Sequence, residues 1–373
     1  MKIESDHAEI ISGVRWGKTI GSPITLLIVN RDFKNWAKGM SSDPAFEGSI
    51  PPVTKPRPGH ADLTGAIKYD HYDVRNILER SSARETAMRV ALGAIAKKFL
   101  SEFNINIGSF VVRIGNITIQ NSRLSESHRA TKFKIQNSEK ELLALSEKAE
   151  KSPVRCPDAA ASKRMVEIIN KAIKEGNSLG GIFEVYVIGA PVGLGSHIQW
   201  DRKLDGRLAR ALMSIQAIKG VEIGLGFEMG KMSGVEVMDE IFYNRKTSGV
   251  KREMIGKTPN GLRFTPDGFY RKTNNAGGIE GGMTNGMPII LRAAMKPIPT
   301  LRKPLRSVDI VTKTPIKAAY ERSDICAVPA AAVVGEAMSA LTIADAFLEK
   351  FGGDGMIETR RNYDSYMEHV KKF

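Results

Sequence analysis

Cysteine is nearly missing from this chain: 373 residues hold two, Cys156 and Cys326, far apart and without ligand-like spacing. That excludes a disulfide framework and a cysteine-rich zinc site, and suits a reducing cytosol. Histidine is also sparse, at six. No long uninterrupted apolar run occurs. The nearest, 327–348, carries Glu336 and Asp345 and reads as a packed helix rather than a membrane span. The opening MKIESDHAEI has mixed charge and no apolar segment, so no signal peptide is expected and the protein is expected to be cytoplasmic.

Two phosphate motifs are absent as well. GKT occurs at Gly17 and Gly256, but a P-loop needs a glycine five positions earlier, where Ser12 and Lys251 stand. No G-x-G-x-x-G lies between a strand and a helix, so nothing supports a Rossmann nucleotide site.

What the chain has is positive charge: 55 basic against 41 acidic residues, net +14. Nucleic acid, membrane surfaces and small polyanions would all be attracted. The cations are spread along the chain, however, and no helix-turn-helix, zinc-finger or aromatic RNA-binding motif accompanies them. A small anionic ligand accounts for the charge at least as well as nucleic acid does.

Short β-rich runs, EIISGV, SPITLLIVN, GSFVVRIGNITI, GIFEVYVIG, GVEIGLGF and MPIILRAAM, read as strands. Helical periodicity predicts helices over about 82–103, 138–151, 160–175, 203–218, 332–351 and 355–371. The two kinds do not alternate strictly, which favours an α+β arrangement over a doubly wound sheet. A single domain over 1–373 is expected, with a polar, lysine-rich excursion at about 121–158. GKTIGSPITL, at 17–26, and GMTNGMPIIL, at 282–291, share G-x-T-x-G-x-P-I-x-L, which suggests one turn-into-strand used twice in two pseudo-equivalent halves.

Five stretches carry chemistry, each with a plain alternative. KPRPGHAD places His60 after a rigid Pro-Arg-Pro-Gly approach, with Arg57 for an anion and Asp62 as an orienting carboxylate; the alternative is a loop histidine bonded to backbone. ILERSSARETAMRV sets Arg80 and Arg84 around Ser81 and Ser82, with Ser82 and Glu85 at capping-box spacing. Those groups form a phosphate or carboxylate cradle at a helix start, or a capped helix with surface ion pairs. NNAGGIEGGMTNGM holds five glycines between Asn275 and Met287, which admit a flat ligand or serve tight turns. MKPIPTLRKPLR brings Lys296, Arg302 and Arg306 to an irregular, proline-bearing segment. ERSDICAVPAAAVVGEAM sets Arg322 and Asp324 before a helix, where Asp324 is a proton acceptor, a salt-bridge partner or a cap.

Taken in order, RPGHAD, ERSSARETAMRVALGAIAKK, SIQAIKGVEIG, NNAGGIEGGMTNG, MKPIPTL and RSD…AVPAAAVVGEA resemble chorismate synthase from Met1 to the last helix. The resemblance implies a β-α-β sandwich with mixed and antiparallel sheets in the core and helices packed outside, usually as a homotetramer. It implies a lyase of the shikimate pathway that converts 5-enolpyruvylshikimate 3-phosphate to chorismate and phosphate by trans-1,4 elimination. That reaction requires reduced FMN without net redox change, replenished by an external flavin reductant with NADP as the associated nucleotide.

The resemblance further assigns Arg80, Ser81, Ser82, Gln216, Ala217, Gly281, Lys296, Pro297, Ile298, Pro299, Thr300 and Arg322 to the flavin. Arg57, His60, Arg80 and Arg322 are assigned to the small anionic substrate. His60 matches the family's proton donor toward the reduced flavin, and Asp324 the aspartate that helps take the substrate proton. No metal, nucleic-acid or membrane partner is expected. Family members also carry a G-E-S-H motif and an arginine- and glycine-rich stretch ahead of the equivalent of MKIE, where this sequence starts. A second reading is therefore a flavin- or polyanion-binding relative with impaired turnover, and a third a basic nucleic-acid-binding protein.

Overall fold

The computed structural model describes residues 6–82, 84–119, 138–243, 268–320 and 323–373. The chain forms two compact units. One comprises Met1–Ala91, Ile169–Leu179 and Pro297–Cys326; the other comprises Leu92–Ile168, Gly180–Lys296 and Ala327–Phe373.

The second unit is built on a five-stranded sheet in the order Ile117–Thr118, Asn106–Ile114, Gly181–Ile188, Ile289–Met295, Ile218–Ile223. Every pairing in it is antiparallel. Asn106–Ile114 is buried along almost its whole length, the mark of a strand covered on both faces. A Cβ added to Gly335, in the helix Val328–Phe351, would meet Phe183 and Val185 on one face of the sheet. A Cβ at Gly108 would meet Tyr186 and Ser146 on the other, where the helix Glu139–Glu150 packs. The arrangement is the expected α+β sandwich.

The helix Val328–Phe351 is, among the described residues, the one long and apolar enough to cross a membrane, and 67% of its apolar stretch is buried in protein. Its one acid in that stretch before Asp345, Glu336, is buried and neutralised: Lys97 Nζ lies 2.6 Å and Arg155 Nη2 3.0 Å from its carboxylate, and Ser109 Oγ donates to it at 2.7 Å. Beyond it, Phe99, Phe103, Phe347, Phe351 and Tyr363 pack edge-on or tilted. Leu142 and Ala149 are fully buried, so the end of the lysine-rich segment seats on the sheet instead of projecting from it.

The first unit has less regular structure. Ala8–Ser12 pairs with Thr25–Ile28, and Arg306–Val308 with Pro315–Lys317. Two helices absent from the sequence reading are present, Asp62–Tyr69 and Arg75–Ser81; Ala66 in the first and Val74, the residue that caps the second, are buried with Ile310 and Val53. Each runs only about two turns, too short for an apolar period to stand out in sequence.

The repeated motif is real in three dimensions. In one copy Val14–Arg15 pairs with Lys18–Thr19 and Ile20 N donates to Gly13 O at 3.2 Å. In the other Ile279–Glu280 pairs with Met283–Thr284 and Asn285 N donates to Gly278 O at 3.0 Å. The central residues have positive φ in both, 51° and 72° at Trp16 and Gly17, 58° and 83° at Gly281 and Gly282. That is the type I′ signature. One copy falls in each unit.

Other boundaries moved by a few residues. The helix expected at 203–218 ends at Met213, because Ile218 starts a strand; that expected at 332–351 starts at Val328.

Candidate active site

In the first unit, residues 53–57 run extended between two partners. Val53 N donates to Asp73 Oδ1 at 3.1 Å and Val74 N returns a bond to Val53 O at 3.0 Å. From the other side Ile310 N donates to Thr54 O, Ala319 N to Lys55 O and Ser307 Oγ to Pro56 O, at 3.0, 3.2 and 2.6 Å. Pro56 and Pro58 have no N–H to leave unsatisfied in this run. The chain then turns: His60 N donates to Arg57 O at 3.2 Å across Pro58 and Gly59, whose φ is +78°. Proline second and a positive-φ glycine third mark a type II turn. The helix Asp62–Tyr69 follows, with Asp62 in the first turn, where the macrodipole favours an acid.

This path brings four side chains together. Asp62 is fully buried, Arg57 is 7% exposed and His60 17%. Asp62 Oδ2 accepts from Arg57 N and Nε, both at 2.9 Å; Oδ1 accepts from Arg57 Nη2 at 3.1 Å and from His60 Nδ1 at 2.5 Å. Arg57 Nη1 donates to Thr300 Oγ1 at 3.0 Å. Burial alone would raise the Asp62 pKa, but the hydrogen bonds from His60 and Arg57 outweigh it and hold the carboxyl well below its usual range. Asp62 is therefore a carboxylate, which only accepts, so His60 Nδ1 carries the proton.

Arg80, Ser81 and Ser82 are arranged differently from the expected cradle. The helix that begins here starts at Arg84, and Arg80 sits in the last turn of the preceding helix Arg75–Ser81, where a cation suits the macrodipole. Ser81 Oγ donates back to Ile77 O at 2.7 Å, and Ser82 Oγ accepts from Arg84 N at 3.2 Å. Arg84 meets the Asp6 carboxylate at 2.8 Å and Val29 O at 2.9 Å. Arg80 is exposed and has no ion pair among the described residues.

Of the remaining assigned residues, Ile298 O accepts from Ser178 Oγ at 2.6 Å and Thr300 is buried, both in the first unit, while Pro297 is exposed and Pro299 half-buried. Asp324 is exposed beside Ile325, whose carbonyl accepts from Leu179 N at 2.8 Å. Arg322 lies outside the described residues.

Gln216, Ala217, Gly281 and Lys296 belong to the second unit. Lys296 N donates to Ala217 O at 2.9 Å, so two assigned stretches meet there. Ala217 holds a left-handed φ of +65°, a costly conformation for a residue with a Cβ. Burial, then the charge of Lys219, lowers the Lys296 pKa. Gly281 is exposed, and a Cβ there would meet nothing nearer than His197 Cβ at 4.0 Å. Lys219 and Lys296 are cations of the kind a phosphate would meet, and the turn at Gly281 leaves space for a ligand to approach.

The sequence reading had no signal for Lys219 or for Asp309, which accepts from Thr54 Oγ1 at 2.5 Å and so fixes the approach to Arg57. Among the described residues no cluster of metal-ligating side chains occurs.

The family model described as "Chorismate synthase" matches residues 1–348. Chorismate synthase from Geobacter sulfurreducens is 55% identical over 373 residues, covering all of this chain and 88% of the relative. That from Aquifex aeolicus is 55% identical over 373 residues, with 100% and 87% covered. A solved structure titled "Crystal Structure of Chorismate Synthase" is similar at a TM-score of 0.73 and 45% identity, over 99% of this chain and 86% of that one.

Proposed function

We propose a function from one premise: this chain belongs to the chorismate synthase family. It is a carbon–oxygen lyase of the shikimate pathway, converting 5-enolpyruvylshikimate 3-phosphate to chorismate and phosphate. Similarity along the whole chain favours this over a binder without turnover and over a nucleic-acid-binding protein.

The cofactor in this reading is reduced FMN, to which the family resemblance assigns Gln216, Ala217, Gly281 and Lys296 of the second unit and, each by its own match, Arg80, Ser81, Ser82, Pro297 to Thr300 and Arg322. When bound, reduced FMN supplies electron density that assists loss of the allylic phosphate. The chain's own residues do the rest. Exposed Arg80 meets a phosphate whose charge grows as it departs, and such an interaction lowers the barrier because it strengthens in the transition state. Arg57, held rigidly by Asp62 and Thr300, contributes fixed positive potential near the substrate. His60 exchanges a proton at Nε2, since Nδ1–H is committed to Asp62. The exposed Asp324 carboxylate accepts the substrate proton.

The observation that carries this reading is the buried Thr300–Arg57–Asp62–His60 chain, which holds a proton-exchanging imidazole beside a fixed cation. A homotetramer in the cytoplasm, dependent on an external flavin reductant, completes the proposal. Anaerobic incubation of substrate with the protein and photoreduced FMN tests it. Release of phosphate with chorismate is expected; tight binding with no phosphate release would overturn it.

A further inference from the structure

One carboxylate decides which ring nitrogen of His60 carries the proton. Two groups compete for Nδ1. Asp62 Oδ1, 2.5 Å away, asks it to donate; Arg57 Nη2, 3.1 Å away and donor-only, asks it to accept. Arg57 Nη2 is also 3.4 Å from Nε2. With Asp62 in place the Nδ1 proton goes to the carboxylate and the Nε2 lone pair is left to Arg57 or to a reacting proton. Without the carboxylate, the closer Arg57 contact favours an accepting Nδ1 and moves the proton to Nε2.

We propose that Asp62 is a positioning residue for the lyase reaction, setting His60 in the Nδ1–H tautomer so that Nε2 exchanges protons. The inference rests on the function proposed above. Asp62 is suited to it by burial, by its place in the first turn of a helix, and by having both oxygens fixed by Arg57. Among the described residues, Arg57 on the adjoining turn and Asp62 on the helix are the charged groups that contact the ring. Thr300, behind Arg57, brings only a neutral hydroxyl. An aspartate bonded to Nδ1–H of a catalytic histidine has the same orienting part in serine proteases, where the asparagine variant adopts the wrong tautomer.

The test combines 15N NMR of the histidine side chains, with His60 assigned by its loss in His60→Gln, and steady-state kinetics. In Asp62→Asn the neutral ring of His60 is expected to change from Nδ1–H to Nε2–H. Its kcat should fall about 10²- to 10⁴-fold, the usual worth of a positioned acid–base group, with KM little changed. Asp62→Glu, which keeps a carboxylate acceptor, should restore the Nδ1–H signal and part of kcat. A folded Asp62→Asn protein that keeps Nδ1–H, or keeps wild-type kcat, would overturn the proposal. Should that variant not fold, the wild-type spectrum decides: Nε2–H in the neutral ring of His60 also overturns it. Wild-type protein that releases no phosphate would end the lyase reading instead, while the tautomer would still show whether Asp62 sets the ring.

Discussion

Arg57 Nη1 donates to Thr300 Oγ1 at 3.0 Å, across 243 residues of sequence, and both side chains are buried. The bond ties the RPGHAD turn to the KPIPT segment. It uses the one terminal nitrogen of Arg57 that Asp62 does not take.

Thr300→Val keeps the shape of the side chain and removes the acceptor, leaving a charged N–H buried without a partner. A loss of about 1–3 kcal/mol is expected from that alone. Denaturant unfolding should show a lowered midpoint with an unchanged slope, and Thr300→Ser should recover most of it. Wild-type stability in the valine variant would mean that the bond does not hold Arg57.

Asp324→Asn should abolish turnover while substrate and flavin still bind. Asp324 is exposed, so the exchange removes a proton acceptor without disturbing packing. Phosphate release measured beside ligand binding separates the two effects. Near-wild-type release would take Asp324 out of the mechanism.

Asp309 responds to acid. Hydrogen bonds from Thr54 Oγ1 and from the Thr312 and Val311 amides bring its pKa down to about 2 from the ordinary 3.8. A carboxyl depressed by folding stabilises the protein above its unfolded pKa, and that stability is lost as pH falls from about 4 to about 2. Thr54→Val removes the first of these bonds, so the Asp309 pKa should rise and unfolding on acid titration should begin at higher pH. An unchanged acid midpoint would show that Thr54 does not hold Asp309.

Gly93→Ala sets two effects against each other. In a helix interior alanine is better than glycine by about 1 kcal/mol. The added Cβ, however, would lie 2.3 Å from Ala337 Cβ and 2.5 Å from its Cα, where backbone must move. Overpacking of that kind costs about 1–3 kcal/mol, so net destabilisation is expected. A raised thermal midpoint would mean that the helices Arg84–Ser101 and Val328–Phe351 separate at little cost.

The main strands and the long helices were legible because their signal is local. Runs such as GIFEVYVIG and MPIILRAAM are long and β-rich, and the helix Ala159–Glu175 carries its apolar face at helical period. The repeated turn was legible through glycine, which adopts positive φ at no steric cost, while its type I′ geometry came only from the structure. Trp16 departs from that rule at the place where the other copy has Gly281. Asp62–Tyr69 and Arg75–Ser81 were missed because short helices are decided by what they pack on, here Ile310 and Val53 beside Ala66, and Ile77 against Gly65. Arg80 was misplaced for the same reason: at SSARE, one helix ends and another starts within three residues.

The sequence by itself determined the α+β class, the repeated turn and the family, all carried by residues close together in the chain. Only the tertiary structure decided where each residue lies and what it bonds. The repeated motif leads into Thr25–Ile28, half exposed in a two-stranded ladder, and into Ile289–Met295, mostly buried within a five-stranded sheet. His60 acquires a defined proton position only because Asp62 is buried against it while Arg57 is turned toward Thr300. Hydrogen-bond geometry and burial depend on neighbours distant in sequence, and no local pattern encodes them.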